Sequence, residues 1–161
     1  MSGLLSPSEA MDLAINEAIE ALTTDDVPVG AVLLSEAGEV LGLGRNRREE
    51  RGDPTAHAEI EALRDASQRG GWRREGTTLF VTLEPCAMCM GALLQARVRC
   101  LVYGATDAKA GAAKSLYRMA EDPRLNHRMD VVGGLEEERC SQLLKDFFSN
   151  LRARKRNETE R

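Results

Sequence analysis

The sequence has no run of about 18 apolar residues, the length that a membrane-spanning helix requires, so an integral membrane protein is excluded. Its first eight residues have neither the basic segment nor the apolar core of a secretory signal, and we therefore expect a cytoplasmic protein. In that setting its four cysteines are expected to be metal ligands or buried thiols rather than disulfides. The sequence also shows no internal repeat and no linker. We expect one domain over residues 1–161, in which 157–161 form a tail that need not be ordered.

The sequence also lacks an excess of positive charge. Lysine and arginine number 22 against 26 acidic residues, which gives a net charge of −4 and taken alone disfavours a nucleic-acid partner. The arginines are nevertheless clustered, within residues 45–51, 69–74 and 152–156. Each cluster fits a solvated loop or a helix end, where the dipole favours cations. Clusters that meet at one cleft would instead form a rim that binds phosphates.

The pattern of apolar residues predicts an α/β fold. Ser6 and Glu9 form a capping box around Pro7, which marks the start of a first helix whose apolar positions run from Met11 to Leu22. The strand–helix–strand pattern over 77–103 predicts a parallel pair of strands with a right-handed crossover. Glycines in the second strand indicate a close approach of another backbone. Helices are predicted at 6–22, 55–67 (with Ile60 and Leu63 inward), 88–96 and 135–156, and strands at 29–35, 40–44, 77–83, 98–103 and 129–132.

A Pro-Cys-x-x-Cys motif at residues 85–89 carries the first chemical signal. Cys86 and Cys89 lie at the start of a predicted helix, three residues apart and on one face, so that both can bind one ion. The helix dipole favours thiolates there. His57 offers a third ligand of the nitrogen and sulfur type that zinc prefers. Three protein ligands leave one tetrahedral position open, as in catalytic zinc sites that carry a water molecule.

Glu59 distinguishes a catalytic site from a structural one, because a carboxylate beside a metal-bound water can pass protons to a substrate. His57 and Glu59 are two residues apart, so they can share a site only if His57 lies in an irregular first turn of its helix. The alternative is a closed structural site with Cys100 or Cys140 as the fourth ligand. These two cysteines lie in a predicted strand and a predicted helix, which is typical of buried small hydrophobic residues.

His-x-Glu followed by Pro-Cys-x-x-Cys is the signature of zinc deaminases, and the chain resembles the cytidine-deaminase superfamily. The Asp-Ala-Lys-x-Gly-Ala-Ala segment at 107–113 and the Phe-Phe pair of the last helix resemble the bacterial tRNA-specific adenosine deaminases in particular. The resemblance covers residues 10–151. It implies a three-layer α/β/α fold with a five-stranded mixed sheet, a homodimer and one Zn²⁺ per subunit. It also implies hydrolytic deamination of the wobble adenosine to inosine in a tRNA anticodon stem-loop, with tRNA-Arg as the expected substrate.

The same resemblance implies a role for individual residues. His57, Cys86 and Cys89 would bind Zn²⁺, and Glu59 would be the catalytic proton carrier. Backbone N–H groups around 84–86 would support the zinc-bound oxygen. The residues implied in binding the substrate are Val27, Pro28, Asn46, Glu84, Pro85, Asp107, Lys109, Asn126, His127, Phe147 and Phe148. Phe147 and Phe148 are expected by default to lie in the core, with one of the two rings free to stack on a base.

The sequence departs from the family pattern at Met90, where an alanine is usual, and over 117–125, where the match is poor. We expect Met90 to alter packing without loss of chemistry, since the ligand set is intact. One alternative function is the same chemistry on a free nucleobase or nucleoside of the guanine or cytidine type, which would not need the arginine clusters. The other is a non-catalytic RNA-binding subunit with structural zinc, against which the intact Glu59 argues.

Overall fold

The computed structural model describes residues 4–161, and in that range a five-stranded mixed sheet is covered by helices. This confirms the predicted α/β fold class. Residues 1–3 of the predicted domain lie outside the described part. The strands are β1 (Gly30–Leu34), β2 (Val40–Arg45), β3 (Thr78–Leu83), β4 (Cys100–Ala105) and β5 (Asp130–Gly133); the helices are α1 (Pro7–Ala21), α2 (Arg48–Arg51), α3 (Ala58–Ser67), α4 (Ala87–Gln95) and α5 (Glu137–Thr159), with 3₁₀ turns at Leu22–Thr24 and Met119–Glu121.

The strand order is β2-β1-β3-β4-β5. β1 pairs antiparallel with both β2 and β3, whereas β3, β4 and β5 run parallel to one another. The β3–α4–β4 unit is the parallel pair that the sequence predicts. Because β1 is antiparallel to β3, the start of β1 lies at the same sheet edge as the ends of β2, β3 and β4. Ligands of open α/β sheets bind outside the carboxyl ends of the parallel strands, so this edge is where a site is expected.

Two apolar cores lie on opposite faces of the sheet. On one face, α3 and α4 pack through Ala62 and Leu93 against strand residues such as Leu33 and Val81. On the other face, α1 packs through Met11 against Val32 and Phe80, joined by the buried Cys140 of α5. Alternate residues of β1 and β3 enter opposite cores, as the two-residue period of a strand requires. The three-layer α/β/α arrangement is therefore confirmed.

The capping box of α1 forms as predicted, since Ser6 Oγ accepts the Glu9 N–H and Glu9 accepts the Ser6 N–H. The predicted apolar face, however, extends too far. Ile19 is 45% exposed and Leu22 is 40% exposed, and the helix itself ends at Ala21. At the other end of the chain, α5 continues to Thr159, so residues 157–159 of the expected tail are helical.

The prediction that Ile60 and Leu63 face inward is confirmed for Leu63, which is half-buried and packs against the core, and is wrong for Ile60, which is half-buried but not part of that core; the fully inward positions are Ala58, Ala62 and Ala66. The reason lies in β2, where a Cβ on Gly42 or Gly44 would overlap backbone atoms of α3. The helix therefore lies so close to the sheet that only alanine side chains fit between them. The close backbone approach that the glycines indicate is thereby confirmed.

The predicted loop after β2 contains the short helix α2. Among residues 4–161, no helix has both the length and the apolar character that crossing a membrane would take.

Candidate active site

Three side chains with metal-binding atoms meet at the sheet edge described above. His57 Nδ1 lies 3.6 Å from Cys86 Sγ and 3.5 Å from Cys89 Sγ. A tetrahedral zinc ion about 2.05 Å from nitrogen and about 2.3 Å from sulfur would separate these atoms by about 3.6 Å. The spacing therefore fits one shared zinc ion. In the described range Cys100 and Cys140 are not part of this group, so they do not close it as a fourth ligand.

Two helix N-termini position these ligands. His57 is the N-cap residue of α3 with extended backbone angles (φ −77°, ψ 155°), and Cys86 is the N-cap residue of α4 (φ −76°, ψ 176°). Cys89 follows in the first turn of α4. The sequence predicts a helix from residue 55 with His57 in an irregular first turn; the structure instead begins the helix at Ala58 and places His57 just before it. This extended residue is what lets His57 and Glu59 line the same cavity although they are two positions apart.

The two thiols have opposite protonation preferences. A hydrogen bond from the Cys89 thiol, together with those from His57 and the Cys89 backbone N–H, lowers the pKa of Cys86 to about 3. The Cys86 sulfur and burial in turn raise the pKa of Cys89, and the Cys86 hydrogen bond raises that of His57. Binding both sulfurs as thiolates requires a positive ion, and a divalent metal supplies that charge.

Glu59 forms part of a cavity of about 250 Å³ next to the ligand group. Its side chain is only 4% exposed, and burial raises the pKa of its carboxyl group to about 7. A carboxyl group with such a pKa can both hold and release a proton near neutral pH. The cavity is lined by Val27, Val29, Asn46, Arg48, His57, Ala58, Glu59, Leu83, Glu84, Cys86, Asp107, Ala110 and Phe148.

One wall of the cavity is held together by Asn46. Its Nδ2 donates to the Val27 carbonyl oxygen at 3.1 Å, and its Oδ1 accepts the Arg48 N–H at 3.1 Å. Behind it, the fully buried Asp26 accepts the backbone N–H groups of Glu49 and Glu50 at 2.6 and 3.2 Å. The segments before β1 and after β2 are therefore fixed to each other by polar side chains that contact main chain.

The opposite wall is the segment 106–115, which surrounds the Glu84 side chain. Burial would raise the pKa of this carboxyl group, but hydrogen bonds from the Lys114 N–H, the Ser115 hydroxyl and the Asp107 N–H lower it below its usual range. Glu84 is therefore an anion held by protein donors. Asp107 Oδ1 in turn accepts the N–H groups of Lys109 and Ala110, which shapes the part of the segment that lines the cavity.

The structure brings some of the predicted substrate-binding residues to the cavity and not others. Val27, Asn46, Glu84, Asp107 and Phe148 line it. The remaining predicted residues are not among those that line it: Pro28, Pro85 and Phe147 are buried, Lys109 and Asn126 are exposed, and His127 Nε2 lies 2.7 Å from the Val98 carbonyl oxygen.

The two phenylalanines divide as expected, with one in the core and one exposed. Phe147 is 7% exposed and Phe148 is 41% exposed, with their rings edge to face at 5.3 Å. Phe148 also lines a second cavity of about 760 Å³ that shares Val27, Asn46 and Arg48 with the first. This second cavity includes Arg154 and Lys155 of α5.

Arg48 of the 45–51 cluster and two basic residues of the 152–156 cluster therefore line one cleft. Acidic residues line it as well, and Arg154 forms an ion pair with Asp25 at 3.2 Å. The third arginine cluster, 69–74, supplies none of the residues that line this cleft. Arg74 is buried and Arg73 stacks over Trp72 at 4.8 Å. Arg48 and Ala110 line the first cavity but were not predicted as individual site residues. For Arg48, the arginine cluster at 45–51 was the feature of the sequence that pointed to it.

Comparison with known proteins agrees with this geometry. The sequence model of a family described as MafB19-like deaminase matches residues 5–152. A tRNA-specific adenosine deaminase of Streptococcus pyogenes serotype M18 is 43% identical over 148 residues, which cover 91% of this chain and 92% of the relative.

Solved structures agree as well. A tRNA:A34 deaminase, studied for A-to-I editing at the wobble position, superposes with a TM-score of 0.80 at 45% identity and covers 84% of this chain and 98% of its own. A guanine deaminase from Nitrosomonas europaea shares the fold, with a TM-score of 0.73 at 22% identity over 90% of this chain and 86% of its own. This chain therefore belongs to the deaminase family whose model it matches and, within it, to the enzymes known as tRNA-specific adenosine deaminases.

Proposed function

We propose that this enzyme uses zinc to convert the wobble adenosine of a tRNA anticodon to inosine, with tRNA-Arg as its substrate. The observation that carries the proposal is the position of Glu59, a buried carboxyl group with a pKa of about 7, in one cavity with His57 and Cys86. A purely structural metal site has no need of such a group. The likeness to tRNA-specific adenosine deaminases supports the choice of substrate.

His57 Nδ1 and the sulfurs of Cys86 and Cys89 would hold the zinc ion. When bound, zinc lowers the pKa of a water molecule and so supplies a nucleophile at neutral pH. Glu59 would take one proton from water and pass it to the ring nitrogen of adenine, and would then take the second proton from the oxygen added at C6 and pass it to the departing amino group. In balance, water replaces the amino group at C6 of the base and ammonia leaves. Val27, Val29 and Leu83 keep bulk water from the reacting atoms.

Asn46, Asp107 and Phe148 would hold the nucleotide. Asn46 is already oriented by its contacts with Val27 and Arg48, so its side chain would lose little conformational entropy when the nucleotide binds. Phe148 exposes its ring at the boundary of the two cavities and can stack on a base. An anticodon loop is single-stranded, so turning its wobble base into the cavity requires little unstacking energy. Arg48, Arg154 and Lys155 would face the phosphates that flank this base.

We also propose that the whole chain acts as one deaminase domain, and that two copies form a homodimer in the cytoplasm, where its tRNA substrate is found. A groove of about 480 Å³ is available for such contacts, lined by Leu63 and Ala92 beside Trp72, which is 57% exposed. Light scattering on the purified protein should give twice the mass of the chain. A monomeric mass across micromolar concentrations would contradict the dimer and leave the catalytic proposal standing.

The deciding experiment is a deamination assay with the zinc-loaded protein. Its substrates are an arginine tRNA anticodon stem-loop with adenosine at the wobble position and, separately, free adenosine, cytidine and guanine. Glu59→Gln should keep zinc and lose at least a hundredfold in kcat, because general acid–base catalysis contributes about 10²–10⁴-fold. Glu61→Gln is the matched control, since Glu61 is buried on the same helix but pairs with Arg51 at 2.7 Å.

Inosine in the stem-loop alone supports the proposal. Turnover of a free base or nucleoside with the stem-loop untouched would retain the chemistry and overturn the substrate. Full activity of the Glu59→Gln variant would overturn the role of Glu59.

A further inference from the structure

The Glu84 carboxylate is surrounded by donors that come from a single segment. Oε2 accepts the backbone N–H groups of Ala113, Lys114 and Ser115 at 3.2, 2.9 and 3.0 Å. Oε1 accepts the Asp107 N–H at 3.1 Å and the Ser115 hydroxyl at 2.5 Å. A carboxylate offers about four lone-pair sites, and five donors fill them. The side chain is 2% exposed and has no acceptor capacity left for a substrate.

Backbone contacts hold the same segment on either side of the carboxylate. The Glu84 N–H donates to the Ala105 carbonyl at 2.8 Å, and the Ala112 N–H donates to the Pro85 carbonyl at 2.8 Å. Gly111 lies directly against the carboxylate, where any side chain would overlap its atoms. The chain therefore wraps around Glu84 closely, and the carboxylate fills the space that the wrapped segment encloses.

The segment held in this way forms part of the cavity. Asp107 and Ala110 line it, and Glu84 itself is two residues before Cys86. One carboxylate thus connects the strand end that leads into the candidate metal ligands with the opposite wall of the cavity. No helix or strand spans residues 106–115, so the position of this wall depends on the Glu84 contacts together with Ala112 and Ala113, which are fully buried in the apolar core.

We propose that Glu84 is a positioning residue, which holds segment 106–115 against the cavity so that Asp107 is placed for the nucleotide. This inference rests on the proposed function for its kinetic part and on the contacts alone for its structural part. The charge of Glu84 is essential to the role. A glutamine of the same shape has one acceptor oxygen, and its amide group would place N–H donors against the N–H donors of the segment.

The first test is hydrogen–deuterium exchange of the zinc-loaded protein and its Glu84→Gln variant. Amides of Asp107, Ala113, Lys114 and Ser115 should exchange at least tenfold faster in the variant, with the rest of the sheet unchanged. Ser115→Ala removes one of the five donors and should give a smaller change in the same peptide. Because it removes only one surface-segment hydroxyl, this variant tests the idea even if Glu84→Gln does not fold.

The second test is steady-state kinetics on the arginine anticodon stem-loop, with zinc content measured for each protein. Glu84→Gln should retain one zinc per chain and raise KM at least tenfold, with a smaller effect on kcat, since the segment would contact bound substrate before the reaction. Glu61→Gln, a buried carboxylate outside the cavity, should leave KM unchanged. Loss of zinc and of kcat together, without a change in KM, would show Glu84 to be merely a support of the metal ligands.

Unchanged exchange in segment 106–115 of both variants would overturn the positioning role. If the unmodified protein does not deaminate the stem-loop, the proposed function fails, and the exchange experiment still decides whether Glu84 holds the segment.

Discussion

Replacing Gly44 by alanine should lower the stability of the protein by about 3 kcal/mol. A Cβ at this position would lie under 3.0 Å from the Ala58 carbonyl oxygen and the Ala62 amide nitrogen, which are backbone atoms of α3. Backbone atoms cannot rotate away as a side chain can, so the whole helix must move. Overpacking of a core costs about 1–3 kcal/mol, and a rigid obstacle places this change at the upper end. In a protein of this size the melting temperature should fall by about 6–12 °C.

The same substitution should also weaken zinc binding. His57 immediately precedes α3 and Glu59 lies in its first turn, so a shift of the helix changes the 3.5–3.6 Å spacing between His57 Nδ1 and the two sulfurs. Loss of the groups that orient a metal ligand typically costs 10–100-fold in affinity, and we expect about tenfold here. Competition with a chromophoric chelator measures this change directly.

Gly91→Ala is the matched control, because it is the same substitution on α4, where no heavy atom lies within 4 Å of the added Cβ. Alanine is favoured over glycine in a helix by about 1 kcal/mol, so this variant should melt about 2–4 °C higher with unchanged zinc affinity. Both variants are melted by circular dichroism at one zinc and one protein concentration. A Gly44→Ala variant that melts within about 2 °C of the parent would refute the reasoning.

Two further predictions concern the metal and the helix ends. Chelation of zinc should lower the melting temperature by about 5–11 °C if the ion was at a hundred times its Kd, and a His57→Ala variant should melt at the lower temperature with or without chelator. Arg74→Met should lose about 3 kcal/mol in urea unfolding, because the buried guanidinium group donates to the carbonyl oxygens of Ala66, Gly70 and Gly71 at 3.0, 3.2 and 2.6 Å. Its kcat per bound zinc should stay at the parent value, and a fall in kcat would contradict a purely stabilising role.

The elements that sequence reasoning placed well are those with a strong local period. β1 is a continuous apolar run and is buried at all five positions, as a central strand must be. α1 combines a capping box with apolar positions at helical spacing. In both cases the information lies within a few residues, so no knowledge of the partner element is needed.

Errors arise where a neighbouring element decides which side chain is buried. Ile60 and Leu63 are the most apolar large residues of α3, and the period alone favours them for the core. The glycines of β2 bring the helix backbone so near to the sheet that Ala62 is fully buried there, while Leu63 packs only partly against the core and Ile60 is not part of it. Which face of α3 turns inward is thus set by glycines that lie 14 to 24 positions before the alanines they contact.

The site shows the same division. His57, Cys86 and Cys89 were found from residue type and spacing, and the structure groups their ligand atoms within 4.8 Å. The contacts of Glu84 could not be predicted, since its five donors lie 23 to 31 residues later and four of them are backbone N–H groups. Backbone donors leave no mark on the sequence, because every residue except proline has one.

The start of α3 shows why local rules fail at the site itself. Thr55 is a favoured N-cap residue, and the sequence prediction begins the helix there. In the structure Thr55 instead forms a turn with Asp53, donating its N–H at 2.8 Å and its hydroxyl at 2.7 Å to Asp53 Oδ1. The helix begins only after His57.

His57 and Cys86 both occupy N-cap positions without making a side-chain cap. Each uncapped helix end costs about 1 kcal/mol relative to serine or aspartate. In exchange, both side chains are free to point at one another, and the N-termini of two helices converge on the same cavity. Helix N-termini attract anions, so they would favour the thiolates and the hydroxide nucleophile of the proposed mechanism. The starts of α2 and α5, at Arg47 and Glu136, also lack a side-chain cap, so a missing cap does not by itself mark the site; at His57 and Cys86 it leaves free the side chains that the chemistry requires.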